Sequence, residues 1–501
     1  MEEWENWSPC EEFPRLRELS IRRCPMLSGE LPNQLPLLER IEVKDCARLV
    51  VSILRLPALK KITISGCKGL VCGNKDGFRG LFLHSAYLDN ISESASQIEG
   101  LIDVDDLSIW KCEELMPLCA LEHLPETMMY NMTSLESISI HGCDSLRYFA
   151  RGQLPPTLRW LKISNCKNMR IVLEEDGADS CSSRSAYLLL EFLEIWRCPS
   201  LESLTSRGEL PATLKDLNIY SCQKLESIAK SLHRNAFLES IIVGWCENLE
   251  ALPTGIQSLR FLHHLNIFEC PNLVPFSDGG REFLPPNLRS FYISDCQKVQ
   301  GFPFGIQNLT SLQQLRINGC PGISSFREES WPSNLTSLEI SHLEITEVLL
   351  ELGLHRLISL KRLAIKGGCR HLKSFLTPEM MLPASLTSLS ITSFPNLQNL
   401  SSEGLHRLTS LEKLFIGECK ELTSFPEDGL PSSLLELHIH DCEKLTTFPK
   451  NGLPPLLLQL RIKGCPLLEE NLKKDEGREW SKIANIPCIK IENFLPEEGI
   501  L

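Results

Sequence analysis

The sequence predicts an α/β repeat solenoid, in which short parallel strands stack on one face and thin connectors return on the other. Three observations predict it: a recurring template, cysteines in phase with that template, and a length beyond the roughly 250–300 residues of one compact core. The template is L-x-x-L-x-I-x-x-C-x-x-L, and 18 copies begin between residues 16 and 457 of the 501-residue chain. Most copies lie 21 to 26 residues apart, the spacing of leucine-rich repeats.

Each copy of the template predicts one strand, because Leu-x-x-Leu-x-Ile alternates buried and outward side chains. Such a short strand cannot bury its apolar face alone, so neighbouring copies are expected to stack in parallel and stabilise one another. The connectors are Pro-rich, as in GLPSSL at 429–434, or leucine-containing, as in GIQSLRFL at 255–262. These predict turns or extended chain and a short helical turn, respectively. We therefore expect a curved stack with the strands on its concave face.

Sixteen of the 21 cysteines occupy one template position, from Cys24 to Cys465. The chain turns out of a strand there, and a compact thiol that is partly apolar suits the interior. Leu343 and Phe394 replace cysteine in two copies. A buried side chain that only fills space can be replaced by another apolar residue, whereas a metal ligand cannot. The pattern therefore favours a ladder of structural thiols over zinc sites or disulfides.

The spacing of the copies predicts the domain boundaries. Residues 1–15 are expected to end a preceding incomplete repeat, 16–468 to form a solenoid of about 18 repeats, and 469–501 to form a polar C-terminal cap. Insertions interrupt the spacing near 72–103 and 174–187. The first insertion is long enough either to hide a degenerate repeat or to project as a loop.

Charge and motifs exclude several classes of function. A formal net charge of -13 argues against a nucleic-acid binder that neutralises phosphates broadly. No apolar run approaches the roughly 20 residues of a membrane span, and the acidic start lacks a secretory signal pattern, which predicts a cytoplasmic or nuclear protein. Nucleotide-binding, esterase and zinc-protease motifs are missing, so we expect no enzyme, cofactor or metal. His438 and His440 are better explained as solvated surface residues than as metal ligands.

Aromatic residues are predicted on the outward-facing strand positions of copies 4 to 11. They occupy the third, fifth or seventh template position, or in one case the next position: Trp110, Trp160, Phe192, Trp196, Tyr220, Trp245, Phe268 and Tyr292. Exposed aromatic side chains on rungs about 5 Å apart are typical of a contact site. We therefore predict a partner-binding surface on the concave face, with packing beneath the inserted loops as the alternative.

Basic residues are concentrated in the first copies of the template. Copy 1 carries Arg17, Arg22 and Arg23, and copy 3 carries Lys60 and Lys61. This end of the array is predicted to dock on a neighbouring domain or an acidic partner. A charged face that is merely solvated is an equally good explanation.

Three segments carry a family resemblance: the opening WENWSPCEEFPRLRELSIRRCPMLSGELP, the internal LTSFPEDGLPSSLLELHIHDCEKL and the closing CPLLEENLKKDEGREWSKIANIPCIKIENF. Together with the cysteine-centred template, they resemble the C-terminal leucine-rich repeat region of plant NLR disease-resistance proteins of the coiled-coil class. The resemblance covers essentially the whole chain. It implies a region that follows a nucleotide-binding domain, helps to hold the receptor inactive, and recognises a pathogen effector directly or through a guarded host protein.

The resemblance therefore implies three partners: an effector, a guarded host protein, and the nucleotide-binding domain of the same or a related receptor. The chain lacks the phosphate-binding loop of that family, so we expect the sensing and restraining part of a receptor. A substrate-recognition protein of a ubiquitin ligase is the main alternative, although no F-box-like segment precedes the repeats. An extracellular ectodomain would require a signal peptide and an Asn-centred template, and neither is present.

Overall fold

The computed structural model describes residues 13–30, 35–52, 56–71, 83–89, 104–110, 134–151, 154–174, 189–274, 284–299, 305–323, 331–341, 354–367, 370–377, 380–473 and 479–492. The chain divides into two compact units, Met1–Leu262 and His263–Leu501. Each unit contains parallel strands that follow one another along the chain.

The first unit is built on a parallel sheet in which each strand pairs with the strand of the next repeat. Its strands are β1 Glu18–Arg22, β3 Arg40–Ser52, β4 Lys61–Val71, β5 Leu83–Asp89, β6 Val104–Trp110, β7 Ser137–His141, β9 Trp160–Ser164, β11 Phe192–Trp196, β13 Asp216–Tyr220 and β14 Ser240–Gly244. A two-residue strand, β2 Gly29–Glu30, pairs with β3. A 3-10 turn, Ile256–Ser258, lies in the leucine-containing connector.

The register of this sheet aligns the template residues of successive repeats. Leu193 and Ile195 of β11 lie opposite Leu217 and Ile219 of β13, and each is at most 1% exposed. Burying one such side chain contributes about 1.5–3 kcal/mol, so the stacked rungs carry most of the stability. The predicted leucine-rich repeat solenoid of parallel strands is confirmed.

A second, smaller parallel sheet lies in the first unit and was not anticipated from the sequence. Its strands are β8 Tyr148–Arg151, β10 Ile171–Glu174 and β12 Ser203–Thr205, with β10 in the middle. Phe149, Val172 and Leu204 of these strands are at most 1% exposed. Each of these strands follows a main-sheet strand after a short turn, so each repeat here contributes one strand to each sheet.

The interval 72–103 contains a rung of the sheet. Strand β5, Leu83–Asp89, pairs in parallel with β4 on one side and with β6 on the other. Ala86 takes the inward position and is 1% exposed. A degenerate repeat therefore lies within this interval, as the first of the two alternatives for it predicted. The rest of the interval, and the insertion near 174–187 apart from Glu174, lie outside the described residues.

The second unit repeats the same construction. Its main-sheet strands are β15 His264–Phe268, β16 Ser290–Ser294, β17 Gln314–Asn318, β18 Ser337–Ser341, β19 Arg362–Lys366, β21 Ser388–Thr392, β23 Lys413–Gly417, β24 Glu436–His440, β25 Gln459–Lys463 and β26 Cys488–Glu492. A short pair, β20 Ser374–Phe375 and β22 Asn399–Leu400, lies outside that sheet. The helices are α1 Ser402–His406 and α2 Pro466–Asn471, with 3-10 turns at Ile306–Asn308, Leu354–Arg356 and Trp480–Lys482.

The ladder cysteines of the described residues are all buried. They are Cys24, Cys46, Cys67, Cys143, Cys166, Cys198, Cys222, Cys246, Cys270, Cys296, Cys320, Cys419, Cys442 and Cys465. Each thiol points back to the strand it follows; the Sγ of Cys296, for example, donates to the carbonyl of Ser294 at 3.2 Å. Phe394 fills the same position and is 0% exposed. Cys112, Leu343 and Cys369 lie outside the described residues.

The residue before the ladder position repeatedly adopts a left-handed backbone conformation. Asn165, Arg197 and Trp245 have φ values of 55°, 53° and 53°. This geometry turns the backbone N–H towards the next repeat: Asn165 donates to the carbonyl of Trp196 at 2.8 Å and Arg197 to that of Tyr220 at 2.9 Å. A column of hydrogen bonds thus continues beyond the ends of the strands.

Candidate functional site

The exposed face of the main sheet consists of the first, third and fifth residues of each five-residue strand. In β9 the second and fourth residues are buried, while Trp160, Lys162 and Ser164 lie on the outer side. Trp160 is 40% exposed and Trp196 is 43% exposed, and Phe192 and Tyr220 are half-buried. The period-two alternation therefore places these four predicted site residues on one face.

The four aromatic residues form two neighbouring pairs. Phe192 lies opposite Trp160 at the start of strands β11 and β9, and Tyr220 lies opposite Trp196 at the ends of β13 and β11. Between the pairs, at the middle of the strands, Lys162 faces Glu194 with 3.5 Å between Nζ and Oε2. The predicted aromatic surface is thus two aromatic pairs separated by an ion pair.

Cations cover two of the aromatic rings. The Nζ of Lys162 lies 5.4 Å from the ring centroid of Phe192, and the guanidinium of Arg197 lies 4.9 Å from that of Trp196. Contacts of this length are cation–π interactions worth about 0.5–1 kcal/mol at exposed sites. These two contacts place a positive charge over each ring on the exposed face.

Tyr220 combines an aromatic body with a hydroxyl that stays protonated. Burial raises the pKa of Tyr220, and the nearby Glu194 carboxylate raises it further. A neutral phenol donates a hydrogen bond and keeps its apolar ring available, the combination that favours tyrosine at protein interfaces.

Trp245 lies just beyond the end of strand β14, at the left-handed position of its repeat. It has φ 53° and is 49% exposed. Bulky side chains seldom adopt this conformation, which costs roughly 1–2 kcal/mol for residues other than glycine. The same conformation recurs at this position in other repeats, for example at Ser221 and Glu269, so it belongs to the turn of the repeat. The exposed tryptophan extends the exposed face beyond Tyr220.

The other predicted aromatic residues do not join these pairs in the described structure. In the second unit Phe268 lies opposite Ser294, and Tyr292 lies opposite Asn266. The two rings are therefore on neighbouring strands but at different positions, and Arg316 covers Tyr292 at 5.0 Å. The backbone of Trp110 ends strand β6, and its side chain lies outside what the structure describes.

The basic residues of the first copies are interleaved with glutamates. Glu39 lies between Arg17 and Lys60, at 3.5 and 3.0 Å, and Glu42 pairs with Arg22 at 2.5 Å. Hydrogen bonds from Arg22 and then Lys44 lower the pKa of Glu42 to about 2.

Two of the predicted docking residues have no described ion pair. Arg23 occupies the left-handed position with φ 55°, and Lys61 begins strand β4. The expected basic end of the array is thus a surface of alternating charges rather than a uniformly positive patch.

His438 and His440 pack against Phe415, with ring centroids 6.1 and 4.8 Å apart. Burial lowers the pKa of His438, and the Nδ1 of His440 is 3.1 Å from an oxygen of Asp441. No group of three or more His, Cys, Asp or Glu residues suited to a metal occurs in the described part of the chain. These histidines form an aromatic cluster on the second unit's sheet.

One exposed aromatic pair was missed by the sequence analysis. Phe237 and Phe261 are 55% and 53% exposed, and their rings stack with centroids 6.4 Å apart. Both residues immediately precede the first leucine of a template copy, so they lie before the strands rather than on the exposed face. The recurrence of phenylalanine at that position in adjacent copies is the signal that could have revealed the pair.

The helices of the described residues are too short or too polar to cross a membrane. No protein-family profile matches the chain. Among solved structures, similar folds occur in a leucine-rich repeat protein of Leptospira interrogans (17% identity, TM-score 0.38, 78% of this chain and 86% of that chain) and in YopM of Yersinia enterocolitica (17% identity, TM-score 0.42, 95% and 92%). At these identities the likeness concerns the fold alone.

One curated protein shares sequence with a part of the chain. An Arabidopsis thaliana protein that carries the provisional name of disease resistance protein is 37% identical over 101 residues. That match covers 20% of this chain and 7% of the Arabidopsis protein. The chain therefore matches only a small part of its curated relative.

Proposed function

We propose that this chain is the non-catalytic, protein-binding repeat region of a plant intracellular immune receptor of the NLR type. In that role it recognises a pathogen effector or a guarded host protein, and it helps to hold the receptor inactive. Support comes from the cysteine-centred template with its opening and closing segments and from the 101-residue match to the Arabidopsis protein. The site of action is the cytoplasm or nucleus.

The observation that carries the proposal is the arrangement of Trp160, Phe192, Trp196 and Tyr220 on three adjacent strands. Tryptophan and tyrosine are the residues most often found as binding hot spots, and they bury large areas with little loss of side-chain entropy. The Lys162–Glu194 pair between them offers one charge of each sign. A partner with complementary charges would be held in one orientation, because charge pairs contribute specificity more than affinity.

The alternating charges of the first copies support the second part of the proposal. Arg22–Glu42 and Lys60–Glu39 pairs present both signs over neighbouring strands, so the surface suits a partner with a matching pattern. We assign this surface to the nucleotide-binding domain, with Arg23 and Lys61 as its additional cations. Surface pairs of this type contribute little stability, about 0–1 kcal/mol each, and are therefore available to exchange partners when the receptor is activated.

The test is pairwise binding of the full chain to a panel of purified pathogen effectors and host proteins, followed by substitution of the exposed face. Trp196→Ala with Tyr220→Ala should weaken capture of a positive partner by at least about tenfold, since hot-spot residues contribute about 2 kcal/mol or more. The matched control is Phe237→Ala with Phe261→Ala, which removes two exposed rings away from that face. Equal loss in both double variants, or unchanged capture in the first, would contradict a role for the exposed face.

A further inference from the structure

A polar cavity of about 290 Å³ lies in the first unit, beyond the ends of the main-sheet strands. Its lining consists of Ser145, Arg147, Asn168, Arg170, Ser200 and Lys224. None of these residues belongs to a main-sheet strand or to the aromatic pairs. The cavity sits where the chain leaves the main sheet and enters the smaller sheet, so it is a separate feature of the fold.

The backbone sets the positions of the two arginines. Arg147 and Arg170 immediately precede strands β8 and β10, which pair in parallel. The N–H of Arg170 donates to the carbonyl of Arg147 at 2.8 Å. Two guanidinium side chains therefore start from adjacent rungs, about 5 Å apart.

The remaining lining residues come from one column of the repeat. Ser145, Asn168, Ser200 and Lys224 each lie two positions after a ladder cysteine. A buried cysteine precedes this turn in each of the four repeats, so the four side chains leave the backbone in register. The amide of Asn168 donates one hydrogen bond to the carbonyl of Asp144 at 2.9 Å, which orients it.

The cavity concentrates positive charge on a chain whose formal net charge is -13. No ion pair joins Arg170 or Lys224 to an acidic side chain within the described ranges, and Asp144 pairs with Lys167 at 2.6 Å. Arg147 and Arg170 bring two cations to neighbouring strands, which favours the approach of an anion.

We propose that this cavity binds the phosphate groups of a small soluble ligand. Guanidinium groups form paired hydrogen bonds with phosphate oxygens, lysine adds a point charge, and serine and asparagine side chains donate hydrogen bonds. A volume of about 290 Å³ is well above the minimum that one ordered water molecule requires. This accommodates one or two phosphate groups, and the polar lining offers no apolar wall for a large organic group.

The experiment is isothermal titration calorimetry of the full chain with inorganic pyrophosphate, at an ionic strength held constant with sodium chloride. We expect saturable binding, weaker binding of inorganic phosphate, and a loss of about tenfold or more in Arg170→Gln with Lys224→Gln. The loss follows because each substitution removes a cation that forms charge-assisted hydrogen bonds with phosphate oxygens. The matched control is Lys230→Gln, which removes an exposed lysine of the same unit outside the cavity.

The proposal has clear contrary outcomes. It is overturned by an absence of saturable heat with pyrophosphate, or by equal affinity in the double variant and the wild type. It is also overturned if vesicles carrying phosphorylated lipid headgroups bind while free pyrophosphate does not, because the site would then serve a membrane surface. Arg170→Lys retains the charge but loses the planar guanidinium group and its paired hydrogen-bond donors. Weaker binding by this variant, with an unchanged circular dichroism spectrum, would show that the loss concerns phosphate recognition and not folding.

Discussion

The buried carboxylate of Glu479 accepts a hydrogen bond from the backbone N–H of Phe448, with 2.9 Å between Oε2 and N. Glu479 is 6% exposed, and its charge is balanced by Lys482, whose Nζ lies 2.9 Å from the same oxygen. The segment that follows the last template copy is thereby fastened to a repeat that precedes it.

We expect Glu479→Ala to destabilise the end of the second unit by about 1–3 kcal/mol, because the Phe448 N–H and the Lys482 ammonium lose their buried partner. Unfolding of repeat arrays is often not two-state, so amide hydrogen exchange of strands β24 and β25 is the appropriate measurement. Exchange there should accelerate at least about fivefold. Glu443→Ala, which removes a surface pair with Lys420, should change it little; equal effects would show that the Glu479 contact carries no special stability.

Alkaline pH should weaken the cysteine ladder. Burial raises the pKa of Cys222 to about 12 and that of Cys419 to about 11, whereas a thiol of the unfolded chain loses its proton near about 8.5. Above that pH the unfolded chain binds fewer protons than the folded chain, so stability falls as pH rises, by up to about 1.4 kcal/mol per pH unit for each thiol. Below that pH these thiols contribute no pH dependence.

The measurement is the urea midpoint under reducing conditions, at pH 7.5 and at pH 10. Cys222→Ala removes one titrating thiol, so this variant should start from a lower midpoint and decline less steeply above about pH 8.5. Lysine and tyrosine titrations are shared by both proteins and cancel in the comparison. Parallel slopes for the two proteins would contradict the thiol explanation.

Substitution by alanine should destabilise the protein to different extents at two glycines of the second unit. A Cβ on Gly322 would overlap the backbone carbonyl oxygen of Val299 in the preceding repeat, whereas a Cβ on Gly417 would overlap the ring of His440. A side-chain ring can rotate away, but a backbone carbonyl cannot move without shifting its strand. We expect Gly322→Ala to cost about 2–3 kcal/mol in thermal or urea unfolding and Gly417→Ala less; the reverse order would show that the His440 cluster is the more rigid of the two.

The ion pair between Arg22 and Glu42 should be visible in acid titration. The pKa of Glu42 is lowered from 4.5 to about 2, first by Arg22 and then by Lys44. Arg22→Gln should raise this pKa without restoring 4.5, because Lys44 remains. Carbon-13 NMR of labelled glutamate carboxyls reports it, and Arg17→Gln, which touches Glu39 instead, is the control.

The sign of the Glu42 effect on stability follows from the same pKa. A lowered pKa stabilises the folded chain above the unfolded value of about 4.3 and stops doing so as pH falls towards about 2. The acid-induced loss of stability should therefore be smaller in Arg22→Gln than in the wild type. An unchanged Glu42 pKa in that variant would mean that Lys44 alone determines it.

The sequence predicted the parts of the fold that repeat and missed those that depend on contacts between repeats. Leu193, Ile195 and Cys198 follow from their phase in the template, since burial alternates with period two. Strand β5 was left ambiguous because Ala86 replaces the second template leucine and no cysteine follows at the ladder position. The smaller sheet was missed because β8, β10 and β12 are short and follow turns of variable sequence.

The candidate site shows the same division. The outward direction of Trp196 and Tyr220 follows from alternation, whereas the cations over Phe192 and Trp196 depend on side-chain placement that no single repeat encodes. The left-handed conformation before the ladder cysteine could have been predicted, because glycine or asparagine, which adopt it readily, stands there at Gly142 and Asn165. No sequence pattern predicted the cavity that Arg170 and Lys224 line. These residues are 54 positions apart in the sequence and share the cavity only because their repeats stack.

Trp245 provides a direct test of whether the tryptophan at this left-handed position contributes to binding by the exposed face. Trp245→Asn places a residue that tolerates the left-handed conformation, as Asn165 does in an earlier repeat, so we expect stability to be retained or raised by up to about 1 kcal/mol. Binding to a partner of the exposed face should fall by about tenfold. Ser221→Asn, at the same left-handed position of the neighbouring repeat, should change stability in the same direction and leave binding nearly unchanged. If Trp245→Asn instead lowers the urea midpoint and spares binding, the ring stabilises the solenoid and the strain at this position has a structural cause.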